Sequence, residues 1–276
     1  MSLRRHAALL PLCLGLLGTS PALLAAHAAA HKDLPRPPSG PTAVLSQSSP
    51  SGTAQVTVDG AGNFAEALVY TVADDLTVDM SYSSSLYFDG VGHGVDSVKQ
   101  SQSNKARSSF TVGPLQVDLK QVLTVGELAG SYALTQVYTL ANPGTEPVSV
   151  GLMRYNDSDL GDYGYQPPKG RFSYIVSNVT PSPEFLTGYV GVKLTGGSKT
   201  TRVVRHCCNN ISDITPEENN TVADDLDGDG VSDDAWDKAI NNQTTVLVPA
   251  GGSVKVHTVT VFGRSALDAL ASLPAR

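Results

Sequence analysis

The amino-acid sequence predicts an all-β protein: an antiparallel β-sandwich with one long acidic insertion and one or two short helices. Three observations predict it. Apolar and polar residues alternate with period two in run after run, the mark of strands with one buried face. Clusters of Gly, Pro, Asn and Asp separate these runs. No long amphipathic helix falls between consecutive runs to make the crossover that parallel pairing demands, so antiparallel pairing should dominate. Two facing sheets are the most economical way to bury so many half-apolar strands, with a closed barrel as the alternative.

Residues 1–30 place Arg4 and Arg5 before an apolar run from Ala7 to Leu17, followed by small residues up to Ala30, which reads as a cleavable secretory signal. A membrane span needs about 20 apolar residues, and this run is interrupted by Pro11, Gly15, Gly18 and Pro21. Cys13 follows Leu12 inside the apolar run, which argues against lipid attachment there. Cleavage removes two arginines and no acid, which leaves 17 basic against 26 acidic side chains and a formal charge of minus 9. Nucleic acid and anionic membrane are poor partners for such a chain. The expected compartment is therefore the periplasm or the exterior.

Residues 31–52 are rich in proline and serine and read as a solvated linker. The sandwich is expected over 53–264. Alternation marks strands at Ala54–Val58, Leu76–Tyr82, Leu115–Leu119, Tyr132–Leu140 and Val148–Leu152. Further strands are expected at Phe172–Asn178, Tyr189–Thr195, Thr201–Arg205, Thr245–Val248 and Val254–Phe262, for a total of about ten to twelve. Short helices are expected at Ala235–Ile240 and, capped by Ser265, at Ala266–Leu273 within a tail of residues 265–276. No lipid signal or apolar tail follows, so no membrane anchor is expected. The segment Tyr138–Val150, with its Asn142-Pro143-Gly144 turn, resembles the hairpins of bacterial extracellular immunoglobulin-like β-sandwich domains.

The insertion, residues 209–243, contains Asp224-Asp225-Leu226-Asp227-Gly228-Asp229-Gly230-Val231-Ser232-Asp233-Asp234, six carboxylates that repel one another unless a cation sits among them. Calcium takes six to eight oxygens, and a compact loop supplies them from alternate carboxylates and a backbone carbonyl. Asp225, Asp227 and Asp229 stand at loop positions 1, 3 and 5. Gly230 falls at the sharp turn, the Val231 carbonyl at position 7 and Asp233 at position 9. The loop resembles those of EF-hand, dockerin and thrombospondin type 3 repeats. It departs from them at position 12, which is Trp236, so the bidentate ligand must come from Asp234, Asp237 or elsewhere. Pro216 and the paired asparagines offer little apolar periodicity and argue against a regular entering helix, and the resemblance implies an isolated Ca2+ loop between strands.

A second loop is expected from Arg154 to Phe172, carrying Asp157, Asp159, Asp162, Tyr163 and Tyr165. Aromatic rings beside carboxylates and a guanidinium suit a sugar: rings stack on its apolar face and charged groups bond its hydroxyls. The bland reading is a tyrosine-rich loop packed on the sandwich edge. The same carboxylates could serve as acid and base in glycoside cleavage. There is no Gly-x-Ser-x-Gly elbow, and the histidines lack zinc spacing. Cys207 and Cys208 are adjacent, and a strained ring, an interchain bond and two reduced thiols all remain open. His206 beside them would suit a soft metal. Sequons stand at Asn156, Asn178, Asn210, Asn219 and Asn242.

The function expected from these residues is a secreted, calcium-binding, non-catalytic module that binds an extracellular glycan or protein surface. The alternative is an exported carbohydrate-active enzyme that uses the carboxylates of residues 157–162.

Overall fold

The computed structural model describes residues 40–73, 76–79, 83–127, 129–157, 169–171, 174–176, 189–197, 199–206, 221–222, 226 and 238–263. Its strands are β1 Thr42–Ser49, β2 Gly52–Asp59, β3 Phe64–Thr71, β4 Leu76–Asp79, β5 Ser83–Phe88, β6 Val91–Gly92, β7 Lys99–Gln102, β8 Lys105–Val112 and β9 Leu115–Val125. They continue with β10 Tyr132–Ala141, β11 Val148–Asp157, β12 Lys169–Arg171, β13 Tyr174–Val176, β14 Tyr189–Thr195, β15 Lys199–His206, β16 Thr221–Val222, β17 Lys238–Val248 and β18 Ser253–Gly263. The first sheet runs β1-β2-β3-β5-β11-β17-β15-β16, with β4 added to β3 and β6 to β5. The second runs β12-β13-β14-β18-β10-β9-β8-β7. Every pairing is antiparallel except the two-residue contact of β15 with β16.

The two sheets face each other, as the alternation requires. In β10 the inward residues Tyr132, Leu134, Gln136, Tyr138 and Leu140 are all fully buried, while Thr135, Val137 and Thr139 between them are partly exposed. One apolar cluster joins Leu45, Val56, Phe64 and Val69 of the first sheet to Leu123, Leu134 and Phe262 of the second. Phe64 and Phe262 meet edge to face at 6.1 Å. The other cluster joins Leu86, Phe88, Leu152 and Val246 to Leu119, Tyr138, Leu140 and Val256.

Several expectations are corrected. The stretch read as linker contains β1, whose Ala43 and Leu45 point into the core although serines and prolines surround them. Residues 238–240, expected to end a helix, lie in β17, where pairing with β15, and for Ala239 and Ile240 also with β11, outweighs local helical preference. No helix occurs among the described residues, and the helix expected at 266–273 lies outside them. The Tyr138–Val150 segment is not a hairpin, because β10 belongs to the second sheet and β11 to the first. Its turn is an arch between sheets. The Asn142 side chain bonds Glu146 O at 2.7 Å and Val248 O at 3.3 Å and accepts from Gly144 N at 3.0 Å. A second arch, from β17 to β18, lies beside it, with Asn142 N on Gly252 O at 2.9 Å and Gly251 N on Gly144 O at 3.0 Å.

The sheets are also stitched at one edge. Ser46 N and Val44 O, on the outer side of β1, bond Ser103 O and Gln100 Nε2 of the β7–β8 hairpin, each at 2.8 Å.

Candidate functional site

Between the two apolar clusters the sandwich interior turns polar, and the polar residues converge on the turn Asp59-Gly60-Ala61-Gly62-Asn63 that joins β2 to β3. Asp59 builds this turn. Its Oδ1 accepts from Ala61 N and Asn63 N, both at 2.9 Å, and its Oδ2 accepts from Asn63 Nδ2 at 2.8 Å. Gly62 takes a φ of +88°, a conformation open to glycine and strained for residues with a side chain. Asn63 Oδ1 then receives Leu86 N of β5 at 2.9 Å, which fixes the turn against the first sheet.

A turn buried between two sheets leaves its carbonyls without water, and each of the four carbonyls from Asp59 to Gly62 is met by a side chain. Gln121 Nε2 donates to Asp59 O at 2.8 Å, and Ser108 Oγ donates to Gly60 O. Tyr138 OH donates to Ala61 O at 3.2 Å. Gly62 O receives Gln136 Nε2 at 2.7 Å and Arg154 Nη1 at 3.0 Å.

Arg154 is the centre of this network and is fully buried. Its Nη2 donates to Gln136 Oε1 at 2.6 Å and Tyr138 OH at 2.9 Å, and Thr258 Oγ1 lies at 3.4 Å. The guanidinium also stands 5.9 Å from the centroid of the Phe64 ring. Burial pushes the Tyr138 hydroxyl up to about 12 although the Arg154 cation opposes the shift, so Tyr138 stays a neutral donor at every physiological pH.

Burial also raises the Asp59 carboxyl above its ordinary 3.8, against hydrogen bonds from Asn63 and Ala61 that favour the charged form. The folded protein therefore holds this proton more tightly than the unfolded chain does. The stability this contributes is complete below pH 3.8 and is lost as pH rises through the folded value. The expected outcome is a component of the urea-unfolding free energy that declines upward from pH 3.8 in the wild type and is missing in Asp59→Asn. Parallel pH profiles for the two proteins would contradict it.

The described residues include few of those expected in sites. Arg154, expected at the start of a ligand loop, lies in β11 with its guanidinium inside the sandwich; the strand continues to Asp157, whose backbone pairs with Ser83 and Ala239. Asp159, Asp162, Tyr163 and Tyr165 lie outside the described residues, as does the Asp157 side chain. So do Asp225, Asp227, Asp229, Val231, Asp233, Asp234 and Asp237 of the acidic loop, where Leu226 alone is described and is 85% exposed. Cys207 and Cys208 lie outside them too. Asn156 and Asn242 are buried, which closes those two sequons to an oligosaccharide.

The Arg154 network was missed because Tyr-Asn-Asp-Ser after Arg154 reads as loop. A signal was present. Gln121, Gln136, Arg154 and Thr258 each occupy an inward position of a largely apolar alternation, and polar residues at core positions of several strands mark a shared interior network.

No protein-family model and no curated protein matches the chain. Among solved structures it is similar to the Slr1438 protein from Synechocystis sp. PCC 6803, at 8% identity and a TM-score of 0.42, over 84% of this chain and 99% of that one. It is also similar to a polysaccharide lyase, BACCELL_00875, at 12% identity and a TM-score of 0.37. That match covers 84% of this chain and 34% of the lyase, so the chain spans about a third of that enzyme.

Proposed function

We propose that the protein is an exported, non-catalytic β-sandwich module that holds a structural calcium ion and binds an extracellular glycan or another extracellular surface. The observation that supports the calcium part of this reading is the register of β15 on β17. Arg205 pairs with Ala239 and His206 with Lys238, so residues 207–237 leave and rejoin the sheet on one rung of the ladder. Within that excursion β16 returns alongside β15, and fifteen residues, 223–237, holding the alternate aspartates, separate it from β17. An excursion of this length costs entropy to order, and a cation held by Asp225, Asp227, Asp229, Val231 O and Asp233 offsets that cost without any change in the sheets.

An ion that binds only the folded loop stabilises the protein by about 2.7 kcal/mol at a hundredfold excess over Kd. The expected result is a lower Tm in excess chelator, with proteolysis appearing first within 207–237. Asp227→Ala with Asp229→Ala should abolish calcium binding by isothermal titration. Equal melting and equal cleavage with chelator and with millimolar calcium would remove the ion from the structure. Binding on a glycan array without turnover supports the module; hydrolysis lost in Asp157→Asn or Asp159→Asn favours an enzyme.

A further inference from the structure

The chain carries 26 acidic and 19 basic residues, yet β7, β8, β9, β10 and β18 of the second sheet hold Lys99, Lys105, Arg107, Lys120 and Lys255 against a single acid, Asp118. Alternation sends all five cations to one face. Their neighbours Ala106, Leu119, Tyr138 and Val256 are buried between the sheets, while Lys99, Arg107, Lys120, Lys255 and His257 are exposed on the opposite side. The ladder aligns them further. Lys99 pairs with Arg107 and Arg107 with Lys120, and the same rung continues through Val137 to His257. At a strand spacing of ~4.8 Å the three cations stand within ~10 Å, and the whole row covers ~19 Å.

Like charges directly opposite one another weaken a sheet. The one carboxylate on these strands, Asp118, lies 3.3 Å from Arg107 Nη2 and leaves the row strongly cationic. On the next rungs, Ser109, Thr111, Gln116, Asp118 and Thr139 line an open groove of about 390 Å³ together with the apolar Phe110, Val117 and Ala141, and Lys255 pairs with Thr139 at its border. Cations in a line beside hydroxyl and amide groups present two chemistries at once: one for anionic groups repeated along a chain, one for a polyol.

We propose that this face binds a polyanionic polysaccharide, with its carboxylates or sulfates on the Lys99–Arg107–Lys120 row and its hydroxyls in the groove. The proposal rests on the reading of the protein as a glycan-binding module and adds the surface and the class of glycan. The groove beside the row, with hydroxyl and amide groups next to apolar surface, favours a sugar chain over a nucleic acid or an anionic membrane. A polysaccharide with one charge per sugar needs only the single row.

The test uses the full chain with four immobilised probes: polygalacturonate, neutral dextran, single-stranded DNA and phosphatidylglycerol vesicles. The expected result is binding of polygalacturonate in preference to the others, weakened by added salt. Affinity should fall roughly tenfold or more in the Arg107→Gln, Lys120→Gln double variant, with unchanged melting, and rise in Asp118→Asn, which removes the competing carboxylate. Polygalacturonate binding indifferent to the double variant, or binding of DNA or vesicles in its place, overturns the proposal. Neutral glycans bound while polygalacturonate is not would overturn the anionic face and leave the glycan module standing. No glycan bound at all overturns both.

Discussion

Arg154→Ala is expected to cost about 3–5 kcal/mol of folding stability, the largest loss of any single substitution considered, read as a fall in the urea midpoint. The change empties a buried space and leaves Gln136 Oε1 and Gly62 O with one donor fewer each, and Tyr138 OH without the guanidinium 2.9 Å away. Domains of this kind have about 5–15 kcal/mol in total, so the loss is a large fraction of the margin. Arg154→Met fills much of the space without restoring the donors and should fall between wild type and alanine. An unfolding free energy for Arg154→Ala within about 0.5 kcal/mol of wild type, on the scale of surface substitutions, would mean that the guanidinium does not hold the β2–β3 turn.

Gly62→Ala is expected to cost about 2–5 kcal/mol, from two separable sources. The first is backbone strain at a φ of +88°. The second is steric, since the new methyl falls on the Tyr138 hydroxyl and within 3.0 Å of Leu119 Cδ2. Gly90→Ala isolates the first, because Gly90 has a φ of +77° and nothing within 4 Å of an added Cβ. Gly62→Ala should therefore destabilise by clearly more than Gly90→Ala in the same denaturation assay, and Tyr138→Phe should recover part of the difference. Equal losses would show that the turn has room which its carbonyl contacts deny.

How far the sequence reveals this architecture depends on how each strand is buried. β9, β10 and β18 are flanked on both sides and have one apolar face, so their alternation is plain. β1 is an edge strand with two inward apolar residues, Ala43 and Leu45, too few to stand out from a proline-rich neighbourhood. β5 begins Ser83-Ser84-Ser85, which reads as a loop; Ser84 is nevertheless fully buried, where a small hydroxyl suits a strand beside Arg154 and bonds Tyr155 O at 2.9 Å. The arch at Asn142 was legible as a turn but not as a change of sheet, because a local turn signal carries no information about which strands pair on either side. The interior network was hidden for a related reason: its donors come from β8, β9, β10, β11 and β18, and their meeting point is a property of register, not of any one segment.

The stitched edge of β1 bears on self-association. Sheets grow when an exposed strand edge accepts another chain, and an edge of eight residues is long enough to template one. Here two of the groups an incoming strand would need, Ser46 N and Val44 O, already serve the hairpin of the opposite sheet. The other terminal strands of the two sheets, β16, β12 and β7, are two, three and four residues long, and β7 adds a bulge at Gln100–Gln102. Strand addition and amyloid-like ladder growth therefore find little purchase on these described edges, which leaves the faces of the two sheets as the surfaces through which described strands could pack on another copy.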